Sequence, residues 1–286
     1  MGDYVVFHAP AWPGAYSIYF FVIGLSAALF FLSTLSWFRA EFGVLRKSAF
    51  YLSFVLLAVG GLVLIGDLSQ PLRFLNTVNP AYWNMSSPLV WGSILLVLFG
   101  LASVLYFLAL RSGNEKSART WGVLGSIVAL GLPIYTGFDL SIHQHRPVWN
   151  TPLMPVLFVA LSLLSGAAVA SFLAKGEVAL LGVLRKLMLW SAGATAVMLL
   201  SLVVTTAYGG SAEELTHLFM TTGTLGLVFI GVGLLAGTAV PIVLLLAPMG
   251  RQQTGLWLAA ALLLVGGIAL RYSIVVGPQI VQTFYS

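Results

Sequence analysis

No cysteine occurs in the sequence. The protein therefore forms no disulfide, ligates no iron–sulfur cluster, and builds neither a thiolate metal site nor a cysteine nucleophile. Charge is almost as scarce, with only 7% of residues Asp, Glu, Lys or Arg, where a soluble domain carries about 25%. So few charges cannot cover a surface that faces water. What is abundant is apolar: 59% of the 286 residues are hydrophobic, and the mean hydropathy is +1.01. Lipid is the expected solvent, and the bilayer the first expected partner. These values exclude a soluble enzyme, a nucleic-acid binder and a disordered protein. The basic pI of about 9.6 does not rescue a nucleic-acid role, because the net charge of +5 comes from a few residues in short loops. The start, Met1-Gly2-Asp3-Tyr4, lacks the basic region of a secretory signal, so the first apolar stretch is expected to span and stay.

A membrane-crossing helix needs about 20 apolar residues. Eight stretches qualify, near 14–38, 49–66, 89–110, 119–140, 153–174, 186–208, 217–246 and 255–277. The predicted fold is an all-α integral membrane protein of eight transmembrane helices. The seventh stretch is awkward, because nothing from Leu215 to Met249 is charged. That is long for one upright helix and short for two, so a tilted helix bent near Pro241 is expected. Glycines inside spans, as in Gly60-Gly61, Gly266-Gly267 and Gly233-x-x-x-Gly237, predict close helix packing.

Orientation follows from the basic residues of short loops. Arg39, Arg46, Lys47, Arg111, Lys116, Arg119, Lys175, Arg185, Lys186 and Arg251 follow spans one, three, five and seven, while Arg73, Arg146 and Arg271 lie toward the other side. The first set is expected in the cytoplasm, with both termini outside. The outer loops are the longer ones and carry Asp67, Asp139 and several tryptophans.

At the end of span four, Tyr135, Asp139 and His143 are spaced i, i+4, i+8. On a continuous helix they form one stripe of exchangeable protons running toward the outer surface. Asp67, at the outer end of span two, is a second acid for that set. Ionisable groups at the bilayer edge are expensive and mark functional sites, although the two acids also suit helix caps or partners for Arg73 and Arg146. A b-type haem would need axial histidines on facing helices inside the membrane. His8, His143, His145 and His217 all fall in outer loops or at helix ends, so no haem is expected. The pair His143-x-His145 has no third ligand, and no metal site is expected either.

Several segments carry a resemblance: Asp67-Leu-Ser-Gln-Pro-Leu-Arg73-Phe, Ser87-Pro-Leu-Val-Trp91-Gly, Tyr135-Thr-Gly-Phe-Asp-Leu-Ser, Arg146-Pro-Val-Trp149-Asn150, and Leu270-Arg271-Tyr272 through Gln279. In this order they resemble the NrfD/PsrC family, the integral-membrane quinone subunits of bacterial respiratory oxidoreductases. The resemblance covers essentially the whole sequence. It implies two four-helix bundles, at 1–150 and 151–286, with the quinone site in the first. It also implies an outer-face iron–sulfur partner with four clusters, a molybdopterin-containing catalytic subunit and location in the bacterial inner (cytoplasmic) membrane. The ligand would be menaquinone or ubiquinone. Tyr135 falls at the position of a tyrosine that hydrogen-bonds a quinone carbonyl. Tyr16 and Tyr19 fall where polysulfide reductase members carry an asparagine and a histidine. Asp67 falls at an acidic position beside the site.

The chemistry is consistent with that implication. A quinone needs an apolar slot and a donor near each carbonyl. Tyr135, Tyr16 and Tyr19 are the expected donors, Asp67 and Asp139 the proton carriers, and His143 and Arg146 complete the expected binding set. Electrons must come from a partner, so the protein is expected to be a non-autonomous subunit. The alternative is a transporter or channel gated by the same polar cluster. Transporters place binding groups near mid-membrane, where these spans carry almost no charge.

Overall fold

The computed structural model describes residues 12, 14–66, 75–76, 79–144 and 146–280. No strand occurs among them. The helices are α1 (Gly14–Leu35), α2 (Leu45–Gly66), α3 (Pro88–Arg111), α4 (Glu115–Ser141), α5 (Leu153–Leu173), α6 (Val178–Ala207), a short α7 (Ser211–Thr221), α8 (Gly223–Leu246) and α9 (Gln253–Ile280). All but α7 are long and apolar enough to cross a bilayer. Local chemistry sets several boundaries. Pro88 opens α3 at a position where its missing N–H costs nothing. The Asn114 side chain accepts from the Ser117 N–H at 3.0 Å and caps α4.

The long uncharged stretch resolves differently from the expected bend at Pro241. The helix breaks at Thr222, which is extended, and at Gly223, whose φ of +61° lies in the left-handed region that glycine enters without a Cβ clash. The residues before the break form α7, with Glu213 and Glu214 in its first turn. The residues after it form the seventh span. Within α8, residues Leu227–Ala239 are wound as a π-helix, and Thr238 Oγ1 donates to the Gly233 carbonyl five residues back. Pro241 sits in the first turn of the α-helical piece that follows, where no kink is required.

We call "upper" the end at which α1 and α3 begin and α2 and α4 finish. Helix α1 is the central one, with 78% of its apolar window buried against 28% for α2 and for α3. It packs on α2, α4, α5 and α9. Helix α3 packs on α4, while the backbones of α2 and α3 stay apart and the two helices meet through aromatic side chains such as Phe50 and Tyr106.

The lower half of the space between α1, α2 and α3 is shut. Phe30, Phe50, Phe99 and Tyr106 are all fully buried, with ring centroids 4.9–6.0 Å apart. Below them, Trp37 Nε1 donates to the Tyr106 hydroxyl at 3.0 Å, and Arg46 lies 3.9 Å over the Trp37 ring. Such an aromatic plug favours edge-to-face contacts and leaves no room between the helices.

The α8–α9 seam is close-packed where its glycines meet. A Cβ on Gly237 would collide with the Gly266 backbone, and one on Gly266 with that of Gly237. This is the close backbone approach that small residues permit in lipid. Arg271 on α9 is fully buried. Its Nη1 donates to the Gly267 carbonyl and its Nη2 to Ser162 Oγ, both at 3.2 Å. The Phe21 ring centroid lies 5.3 Å from the guanidinium carbon.

Candidate functional site

The gap left where α2 and α3 diverge is a cavity of about 440 Å³. Four helices supply its walls. Tyr16, Tyr19 and Phe20 come from α1, with Trp12 just before it. Leu57, Gly61, Leu64 and Ile65 come from α2; Gly92, Ser93, Leu96, Val97 and Gly100 are on α3; and Tyr135 and Asp139 are on α4. The i, i+4 spacing of Tyr135 and Asp139 puts both on one face of α4.

Polarity is sorted by depth. Trp12, Tyr16, Tyr19, Tyr135 and Asp139 lie toward the upper end, and the lower end is Leu57, Leu96, Val97 and Gly100. Tyr135, Tyr19, Tyr16 and Asp139 are close enough to interact electrostatically. Asp139 is 3% exposed, and its Oδ2 has no hydrogen-bond partner among the described residues. A buried carboxyl oxygen without a partner costs free energy.

Gly92 carries the tightest packing of the site. A Cβ there would overlap the ring of Tyr135. The ring of Tyr135 thus lies directly against the α3 backbone. Gly92 ends the segment Ser87-Pro-Leu-Val-Trp91-Gly, but nothing in the sequence says which side chain it admits.

The stripe expected to run through His143 stops earlier. Helix α4 ends at Ser141, so His143 leaves the face shared by Tyr135 and Asp139. Its ring packs edge-on to Trp12 at 5.8 Å and to Trp149 at 5.5 Å. Trp149 Nε1 donates to the Ile274 carbonyl, and Arg146 Nη1 donates to that of Pro278 at 2.7 Å. Burial lowers the Arg146 pKa from its ordinary value, a shift that leaves a guanidinium charged. Gln279 holds both backbone groups of Trp12, at 3.0 and 2.9 Å. His143 and Arg146 therefore sit in a rim that ties the loop after α4 and the end of α9 to Trp12. Neither is among the cavity-lining residues. Asp67 lies outside the described residues, as do Arg73, His8 and His145. His217 is on α7, with its Nδ1 3.3 Å from Thr206 Oγ1. No cluster of three or more metal-ligating side chains occurs among the described residues.

The family model described as "Polysulphide reductase, NrfD" matches residues 6–282. The protein belongs to this family. It is 30% identical to a polysulfide reductase polypeptide of Wolinella succinogenes, over 96% of its own length and 95% of that protein. A tetrathionate reductase subunit of Salmonella typhimurium is 30% identical, over 48% of the present sequence and 42% of its own length. Protein NrfD of Escherichia coli is 26% identical over 57% and 59% respectively. Family membership and eight apolar helices together make this a multi-pass membrane protein of the kind found in reductase complexes. The family match spans every helix that builds the cavity.

Proposed function

We propose that the protein is the quinone-reactive membrane subunit of a respiratory oxidoreductase, and that the cavity between α1, α2, α3 and α4 is its quinone site. One observation carries this reading: a cavity with tyrosines and an unpartnered buried carboxyl at one end and only apolar walls at the other. A prenylated quinone has the same division, a flat ring with two oxygens and a hydrocarbon tail. When bound, such a ligand supplies two electrons and two protons. Tyr135, with Tyr19 or Tyr16 across the cavity, donates hydrogen bonds to the ring oxygens. Asp139 holds or releases a proton at Oδ2 and exchanges it toward the upper surface, and Asp67 is the second acid on that route. Trp12 closes the upper side and keeps bulk water from the ring. His143 and Arg146 support binding by holding Trp12 and the rim rather than by touching the ring.

Electrons pass to or from an iron–sulfur partner docked on the upper face, since the sequence has no cysteine to hold a cluster. The relatives are named as single polypeptides of larger reductases, which supports a multisubunit complex. We assign the upper end to the outer face of a bacterial inner membrane, from the basic residues at the lower end. In this reading residues 1–150 form the ligand-binding bundle and residues 151–286 a second bundle that braces it.

Replacing Tyr135 with Phe removes one hydroxyl and little volume. A hydrogen bond is worth about 0.5–1.5 kcal/mol net, so quinol affinity in the assembled complex should fall severalfold. Titration of a quinone-site inhibitor in membranes measures this. Unchanged affinity would remove Tyr135 from the site.

A further inference from the structure

The cavity is longer than a quinone ring, and its lower part has a property the ring does not need. Its lining on α3 runs from Leu89 to Gly100 and on α2 from Leu57 to Ile65. These are eleven and eight residues apart, or about 16 Å and about 12 Å of helix at 1.5 Å per residue. Over the lower part of that length every lining residue is apolar. The floor is the aromatic plug of Phe30, Phe50, Phe99 and Tyr106, so nothing leaves downward between the helices.

The side is open instead. The backbones of α2 and α3 stay apart, and their ring contacts are made below the cavity, by Phe50, Tyr51 and Phe54 with Tyr106 and Phe107. Leu89 and Val97 line the cavity and are also 56% and 46% exposed, so the cavity reaches the outer surface of the helix group along this seam. Gly61 on one lip and Gly100 on the other have no atom within 4 Å of where a Cβ would stand. Glycine costs helix stability in a span unless the missing side chain is used for something. At Gly237 and Gly266 that use is helix packing. At Gly61 and Gly100 no neighbour approaches, and what the missing side chains leave is width.

We propose that the seam between α2 and α3 is the lateral slot through which the quinone enters from lipid, and that it seats the first part of the prenyl tail with Gly61 and Gly100 setting its width. The inference rests on the quinone reading above. It assigns the tail to the apolar lower part, pointing to the bilayer midplane, while the ring stays among Tyr16, Tyr19, Tyr135 and Asp139. The protein would then select for an apolar tail of some length on the ring, and tailless quinones would lose that part of the binding area.

The test is equilibrium binding of two radiolabelled quinone analogues to the purified complex, one with a ten-carbon alkyl tail and one with methyl groups only. Gly61→Leu and Gly100→Leu fill the two lips, and Gly182→Leu is the control, a glycine of α6 that also faces open space but is far in sequence from the cavity. Gly100→Leu, at the apolar lower end, should bind the tailed analogue at least tenfold more weakly and the tailless one within twofold of wild type. Gly61→Leu, level with Tyr19 and Gly92, should weaken both analogues, and the control should change neither. Gly100→Ala, a smaller filler, should give an intermediate loss of the tailed analogue and covers the case in which a leucine prevents assembly. Equal loss of both analogues in Gly100→Leu, or no loss of either, would overturn the slot while leaving the quinone site standing. If the wild-type complex bound neither analogue, the quinone reading itself would fall, and the slot with it.

Discussion

Two helix seams use the same residue to opposite ends. Between α8 and α9, Gly237 and Gly266 bring two backbones together until no Cβ fits. Between α2 and α3, Gly61 and Gly100 face empty space at the edge of a cavity of about 440 Å³. Polar groups differ in what they face. Arg271 on α9 donates to a carbonyl and a hydroxyl and lies near the Phe21 ring, and its unpartnered Nε is fully buried in protein. Asp139 keeps its unpartnered oxygen beside the cavity. Lipid gives helices no hydrophobic drive to associate, so close contact has to come from shape and hydrogen bonds. The α8–α9 seam commits its small residues to that contact. The space between α2 and α3 leaves its glycines without neighbours, and an acid beside a cavity inside a membrane protein marks a candidate site.

If that contrast is right, substitutions beside the cavity and in the α8–α9 seam should fail in different ways. The largest effect is expected from Asp139→Asn, which keeps the size of the side chain and removes its proton exchange. Positioned acids and bases contribute at least about 100-fold, so quinol-dependent turnover of the assembled complex should fall by roughly that factor. Turnover within twofold of wild type would show that protons leave by another route. Next comes Gly92→Ala. The added methyl displaces the Tyr135 ring from the α3 backbone, and a misplacement of about 1 Å in a reacting geometry can cost about 100-fold. A drop in turnover of ten- to a hundredfold with normal assembly is expected, measured on solubilised complex in which every subunit is shown to be present. Loss of assembly with normal turnover in the remainder would make Gly92 a packing residue like Gly237. The smallest effect on ligand chemistry is expected from Gly237→Leu. It overpacks the closed seam, at a cost of about 1–3 kcal/mol. A lowered melting temperature with unchanged quinol affinity is the predicted result, and changed affinity at normal stability would erase the contrast.

Much of the architecture is legible in the sequence. Eight spans and their approximate limits follow from hydropathy, because in lipid a helix must satisfy its own backbone and its length is set by the bilayer. The break at Thr222–Gly223 is not legible. Uncharged residues run through it, and only the left-handed φ of Gly223 shows where α7 stops and α8 begins. For the site, the i, i+4 spacing of Tyr135 and Asp139 is readable as one helical face, and both line the cavity. The extension of that stripe to His143 fails because periodicity holds only while the helix lasts, and α4 ends at Ser141. Leu57, Leu96, Val97 and Gly100 carry no signal, and Gly61, expected from its place in a span to pack closely on another helix, faces open space instead. On a helix bathed in lipid, an apolar residue that lines a cavity is indistinguishable in sequence from one that meets an acyl tail. Only the divergence of α2 from α3, a tertiary fact, separates them.

The central claim is the place of the quinone, and photoaffinity labelling tests it most directly. The purified complex would be illuminated with a ring-substituted azidoquinone, with and without excess unlabelled quinol, and the labelled peptides identified by mass spectrometry. The account predicts label that quinol suppresses on peptides containing Tyr16 and Tyr19, Gly92 to Val97, and Tyr135 to Asp139. Competable label confined to α6, α7, α8 and α9, with none on α1, α3 or α4, would contradict it.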